Sequence, residues 1–177
     1  MMNVQALIQV KAFARQDGVF LALLWIASFA ATLYMPGSGW GNIMAISTPF
    51  FVGWLLIRFR NYALDGAISF RRGLLYSCYT FFYAALIFAV AQYLYFRYLD
   101  HGLMVQMLAT ALKQAAPIYE ANGMSLQQME EALGMFGQLP PIQLSFLFMM
   151  QNILTGIVLS LPIALFCRRN RQQHANN

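Results

Sequence analysis

LLYSCYTFFYAALIFAVAQYLYF, Leu74 to Phe96, runs for 23 residues without one Asp, Glu, Lys or Arg. A helix needs roughly 20 mostly apolar residues to cross the hydrocarbon of a bilayer. In that medium the backbone must satisfy its own N–H and C=O groups, which a helix does. The stretch therefore reads as a spanning helix over about 73–98. Three other runs share its character: VFLALLWIASFAATLYM (Val19–Met35), NIMAISTPFFVGWLLI (Asn42–Ile57) and IQLSFLFMMQNILTGIVLSLPIALFC (Ile142–Cys167). They predict helices over about 13–35, 42–58 and 142–167. The second is the shortest. The turn PGSGWG, Pro36–Gly41, is rich in helix breakers and short enough to force a tight antiparallel hairpin.

Composition agrees with lipid as the solvent. Of 177 residues, 60% are hydrophobic and only 10% charged, where soluble domains carry about 25% charged residues. The net charge of +5 does not point to nucleic acid. Its basic residues come in short clusters at the ends of apolar runs rather than on one face. The first run has a basic leader (Lys11, Arg15) and small residues near Ala30, as a signal peptide would. It is long for that role and three more runs follow, so it reads as a retained helix. Residues 1–12 are either an interfacial helix or the first turns of the first spanning helix, and the second reading is favoured.

The stretch RFRNYALDGAISFRRG, Arg58–Gly73, supplies orientation. Lys and Arg gather in the cytoplasmic loops of membrane proteins. With the N-terminus inside, the inner face holds Lys11, Arg15, Arg58, Arg60, Arg71, Arg72, Arg168, Arg169 and Arg171, and the outer face holds Arg97 and Lys113. Asp17 and Asp65 fall inside; Asp100, Glu120, Glu130 and Glu131 fall outside. The inner charge is then +7 and the outer −2, which together give the +5 of the chain. The expected fold is all-α: one membrane domain over 1–177, four transmembrane helices, both termini cytoplasmic. Arg58, Arg60, Arg71, Arg72, Arg168, Arg169 and Arg171 are the candidates for setting topology and meeting lipid head groups. The island is either a solvated loop or an interfacial segment whose arginines reach lipid phosphates, with Asp65 a candidate partner for one of them.

An extracytoplasmic helical hairpin is expected over about 99–141. Its first helix, about His101–Ala116, has apolar residues at helical spacing and ends at Pro117. Its second opens at SLQQMEEAL, where Ser125 and Gln128 form a capping box, and carries Leu126, Met129, Leu133 and Phe136 in one stripe. Arg97, Asp100 and His101 cluster at the outer interface, where an ion pair is the favoured reading over a head-group site.

No apolar run contains an acid or base near its centre, which argues against proton-coupled transport and intramembrane metal hydrolysis. The softer polar residues Gln92, Gln151 and Asn152 are read as packing groups, with the two later amides bonding across to Gln92 or Thr80. Ser28 and Thr32, one turn apart, read as a close-packing face. Cys78 and Cys167 lack metal or disulfide spacing and read as small buried side chains. His101 and His174 are expected on opposite sides. There is no GxSxG, HExxH or phosphate-cradling loop. No cofactor, metal site or enzyme activity is expected.

Three pieces carry a resemblance: AISFRRGLLYSCY (Ala67–Tyr79), NGMSLQQMEEAL (Asn122–Leu133) and NILTGIVLSLPIALFCRRN (Asn152–Asn170). In order and spacing the chain resembles the bacterial inner-membrane family known as domain of unknown function 4199. The resemblance implies a four-helix membrane protein with an outer insertion before the last helix, and no activity. Gram-negative bacteria are then the natural source, and the plasma (inner) membrane the location. The expected role is a non-catalytic accessory or scaffold subunit; the alternative is a small transporter or lipid-handling protein. The expected partners are the bilayer and, through the outer hairpin, a second copy or another membrane protein.

Overall fold

The computed structural model describes residues 4–121 and 125–169. Six helices follow one another: α1 (Val4–Tyr34), α2 (Trp40–Ala63), α3 (Phe70–Tyr98), α4 (Leu103–Ala121), α5 (Leu126–Gly137) and α6 (Pro141–Cys167). Of these α1, α2, α3 and α6 are long and apolar enough to cross a membrane. The chain divides into two compact units. One holds the residues up to Phe88 and those from Met149 onward; the other is Ala89–Phe148.

In the larger unit the helices run antiparallel in succession, and their shared face is apolar. Its core gathers Val10, Leu21, Val52, Leu56, Phe59, Tyr76, Phe81 and Ile163. Phe59 of α2 stacks on Tyr76 of α3 with ring centroids 4.7 Å apart and planes 5° apart. Trp25 of α1 meets Phe81 and Phe88 of α3. The outward faces are apolar as well: Phe50 is 76% exposed and Phe166 85%. Such surface is costly in water and natural in lipid. Between Trp40 and Tyr62 the helix α2 rises about 33 Å at 1.5 Å per residue, close to the ~30 Å hydrocarbon thickness. Both rings are exposed, as residues at membrane–water interfaces are.

Two glycines set how closely the helices approach. A Cβ at Gly18 of α1 would lie 2.8 Å from the Tyr83 Cβ of α3. One at Gly156 of α6 would lie 2.5 Å from the Phe81 Cβ. Small residues at helix crossings let backbones come together where hydrophobic driving force is absent. At the α1–α2 hairpin, Ser28 Oγ donates to Gly41 O at 2.8 Å and Trp25 Nε1 to Thr48 Oγ1 at 3.1 Å. Thr32 Oγ1 turns back to Ser28 O at 2.9 Å. The close-packing face expected at Ser28 and Thr32 thus lies against the start of α2.

Residues 4–12 are the opening turns of the first helix, the favoured of the two readings; Val10 and Ala14 are fully buried and hold them in place. The connection between the second and third helices is shorter than expected, for a physical reason. The second runs on to Ala63, so Arg58 and Arg60 belong to a helix rather than a loop. The break comes later, at Asp65 and Gly66, whose φ values of 52° and 79° are left-handed. The connection to α3 is only 64–69, tied down by an antiparallel bridge: Ile68 N donates to Arg169 O at 2.9 Å, and Arg169 N to Ile68 O at 3.0 Å.

In the smaller unit α4 and α5 lie between the end of α3 and the start of α6, as a helical hairpin. The turn before α4 uses a left-handed Gly102, φ 85°. Pro117 does not end α4, which continues to Ala121. A proline removes one helical donor but leaves those after it intact. Ser125 stands at the N-cap of α5 with the extended backbone of a cap, yet its side chain makes no capping bond. The expected capping box is therefore not formed. Of the stripe on α5, Met129, Leu133 and Phe136 are half-buried, and Phe136 meets Phe148 edge-on at 6.0 Å; the side chain of Leu126 lies outside the described residues.

Gly156→Val is expected to lower stability by about 1–3 kcal/mol, the cost of overpacking a tight crossing. Thermal unfolding of the full chain in mild detergent, followed by intrinsic fluorescence, reads this. An unchanged midpoint would contradict the close α3–α6 approach.

Candidate functional site

The chemistry of the larger unit concentrates where α1, the end of α2, the start of α3 and the end of α6 meet. Asp17 lies on the buried stripe of α1, in line with Val10, Ala14 and Leu21, and is 1% exposed. A lone buried carboxylate is very costly. Both of its oxygens are occupied: Arg58 of α2 donates to Oδ1 and Tyr76 of α3 to Oδ2. The Arg58 side chain is 35% exposed. Its guanidinium lies 5.2 Å from the Trp54 ring and 5.7 Å from the Phe20 ring. Arg58 thus reaches from the interface inward, apolar stem and aromatic neighbours in lipid, charge on the carboxylate.

A second polar layer lies one to two turns nearer the helix ends. Gln9 of α1 accepts from Arg72 at 2.6 Å and donates to Ala63 O at 3.3 Å, joining α1, α2 and α3. Arg60 donates to Cys167 O at 3.0 Å, satisfying a carbonyl at the C-terminus of α6. Lys11 lies 5.3 Å over the Tyr79 ring. Beside this layer an open cleft of about 490 Å³ is lined by Gln9, Asp65, Ser69, Arg72 and Arg169 among others.

The predicted head-group arginines therefore divide. Arg58, Arg60 and Arg72 are bonded into helix contacts, Arg72 and Arg169 line the cleft, and Arg71 and Arg168 are exposed. Arg171 and His174 lie outside the described residues. In the smaller unit Arg97 and His101 are exposed. Asp100 caps α4, its Oδ1 accepting from Met104 N at 2.9 Å, in place of the interfacial ion pair expected of it. Gln92 is 2% exposed, and its Oε1 has no partner among the described residues. Gln151 is exposed and Asn152 half-buried. Thr80 donates to Tyr76 O within its own helix at 2.9 Å. Cys78 and Cys167 are free thiols. Among the described residues no three His, Cys, Asp or Glu side chains come together as metal ligands.

Sequence reasoning missed Asp17, Gln9 and Tyr76. It opened the first run at Val19 and so counted Asp17 as a flanking charge. The signal was present: Val10, Ala14, Asp17 and Leu21 repeat at i, i+4, i+7 and i+11, the spacing of one helix face. The apolar runs hold no acid or base near their centres, but the helices that contain them do carry a charged pair, Asp17 of α1 with Arg58 of α2. What the pair can do is limited by its geometry. A carboxylate saturated by a guanidinium and a phenol fastens three helices together.

The family model described as "Protein of unknown function (DUF4199)" matches residues 16–169. The chain belongs to this family. The DUF4199 match takes in Asp17, Arg58 and Tyr76, and also Arg72 and Arg169 of the cleft, while Gln9 falls before it. No curated protein and no solved structure matches the chain.

Asp17→Asn is expected to cost about 2–3 kcal/mol. The penalty of breaking a buried pair is about 3–5 kcal/mol, and it is reduced here because Arg58 still reaches solvent. Tyr76→Phe should cost about 1.5 kcal/mol, one hydrogen bond to a charged group. In the double variant Asp17→Leu with Arg58→Met most of the loss should return, since neither charge is then orphaned. Unfolding midpoints of the three variants in one detergent check the set.

Proposed function

We propose that this DUF4199 chain is a non-catalytic accessory subunit of the bacterial plasma membrane, with both termini in the cytoplasm. The observation that carries this is the use made of its ionisable groups. Asp17, Arg58, Arg60 and Arg72 are all engaged in bonds between helices. A catalytic or ion-conducting centre needs titratable groups free to change partners. Orientation is supported by charge asymmetry within the larger unit. Lys11, Arg15, Arg58, Arg60, Arg71, Arg72, Arg168 and Arg169 collect toward one end, and the α1–α2 turn at the other has none. Under the positive-inside rule that end is cytoplasmic. The lipid-handling alternative is favoured by one feature, the arginine-lined cleft.

Single cysteines at Ser69, Ser38 and Gln127, placed in a variant lacking Cys78 and Cys167, test the orientation. In intact cells an impermeant thiol reagent should label Ser38→Cys and Gln127→Cys and spare Ser69→Cys until the membrane is opened. The reverse pattern would overturn it. Crosslinking in native membranes tests the accessory role, with a discrete attached protein expected; a strictly solitary chain would count against it.

A further inference from the structure

Arg58 of α2 uses only part of its guanidinium on the buried acid. Among the described residues its one hydrogen bond runs from Nη2 to Asp17 Oδ1. A guanidinium carries five N–H donors. Those at Nε and Nη1 are not enclosed by protein; they open at the surface, where the side chain is 35% exposed. The opening is walled by aromatic rings from two helices, Trp54 of α2 at 5.2 Å and Phe20 of α1 at 5.7 Å. Both rings are themselves exposed.

The height of this opening follows from α6. That helix ends at Cys167, and Arg168 and Arg169 come next. Cys167 Sγ lies 3.8 Å from Gly53 O, and Arg60 donates to Cys167 O at 3.0 Å. The last apolar run therefore stops level with the Gly53–Arg60 part of α2, which contains Arg58. Tyr62, four residues further along the same flank, is exposed as interfacial tyrosines are. At this level acyl chains give way to head groups. Hydrocarbon offers an open guanidinium donor no acceptor. Phosphate oxygens do, and they are the anions that the guanidinium fork fits best.

We propose that Arg58, walled by Trp54 and Phe20, binds the phosphate of a bilayer phospholipid. One amino group stays on Asp17, the open donors take phosphate oxygens, and the rings lie along the acyl chains. The occupant is a lipid rather than free phosphate because the walls are apolar. The site rests on lipid as the surroundings of these helices, and on neither their orientation nor the accessory role.

Native mass spectrometry of the full chain tests it, after release from nanodiscs of equal phosphatidylglycerol and a phosphate-free galactosyl diacylglycerol with the same acyl chains. The wild type should retain phosphatidylglycerol over the galactolipid. Arg58→Lys keeps a charge for Asp17 but loses the planar fork, and should lower phospholipid retention about tenfold, the effect of one hydrogen bond between charged groups. Trp54→Leu removes one wall at an exposed position, so the fold survives it, and should lower retention about threefold, the effect of an exposed cation–π contact. Arg71→Gln alters an exposed arginine at the same end and should change nothing. Equal retention of both lipids by the wild type, unchanged retention in Arg58→Lys or Trp54→Leu, or an equal fall in Arg71→Gln would overturn the proposal. Excess inorganic phosphate separates the sources. The phospholipid should persist; its displacement would show that a free anion suffices and would overturn the lipid as occupant.

Discussion

A carboxylate carried into an apolar helix bundle must bring its counter-charge with it, because lipid and side-chain hydrocarbon offer none. Asp17 imposes that condition on its neighbours. Arg58 must stand opposite it on α2 and Tyr76 on α3, and this sets the height and rotation of three helices at once. An ion pair of this kind adds little net stability over apolar packing, since desolvation takes back most of the attraction. Its effect is on register. Shift α1 by one turn and the acid faces Leu21's place in the core, with the guanidinium left behind. The other polar bonds fall into line with it: Gln9 with Arg72 toward one end, Trp25 with Thr48 and Ser28 with Gly41 toward the other.

The arginines at this end of the larger unit also hold its helices together. In translocation, positive charge near a spanning helix decides which side it stays on. In the folded chain, three of those charges join helices. Arg60 reaches the last carbonyl of α6 and Arg72 the amide of Gln9. The α2–α3 connection can be short because its neighbours hold the helices together, and the bridge from Ile68 to Arg169 makes the end of α6 part of it. The smaller unit is built differently, from two modest helices, an aspartate cap and aromatic contacts such as Phe96 with Phe148 at 5.9 Å.

The four long apolar helices and the hairpin were readable because hydrocarbon thickness demands long uncharged runs, and Leu74–Phe96 is one of them. The ends were less readable. The end of α2 is set by a left-handed pair at Asp65 and Gly66 and by interhelical bonds to arginine, and neither appears in an average of hydropathy. Pro117 was read by local propensity, which the intact donors of the following turn outweigh. The main site was hidden by the way runs are delimited. A stretch that stops at the first charge cannot include a buried one, so Asp17 was read as an edge when its helical spacing placed it inside. Ser28 and Thr32 were legible because small residues one turn apart have few other uses in a membrane helix. The cleft was not legible, since its lining comes from residues as distant as Gln9 and Arg169 and depends on the bridge at Ile68.

Phe81 and Tyr83 sit two residues apart on α3, hence on opposite flanks of that helix. Each is seated against a glycine, Gly156 of α6 on one flank and Gly18 of α1 on the other. A rod keyed into notches on both sides cannot roll: turning it by a single residue, about 100°, would drive a ring into a neighbouring backbone. α3 is thus the fixed axle of the larger unit. Its neighbours α2 and α6 carry prolines within their length, Pro49 and Pro162, and α3 carries none.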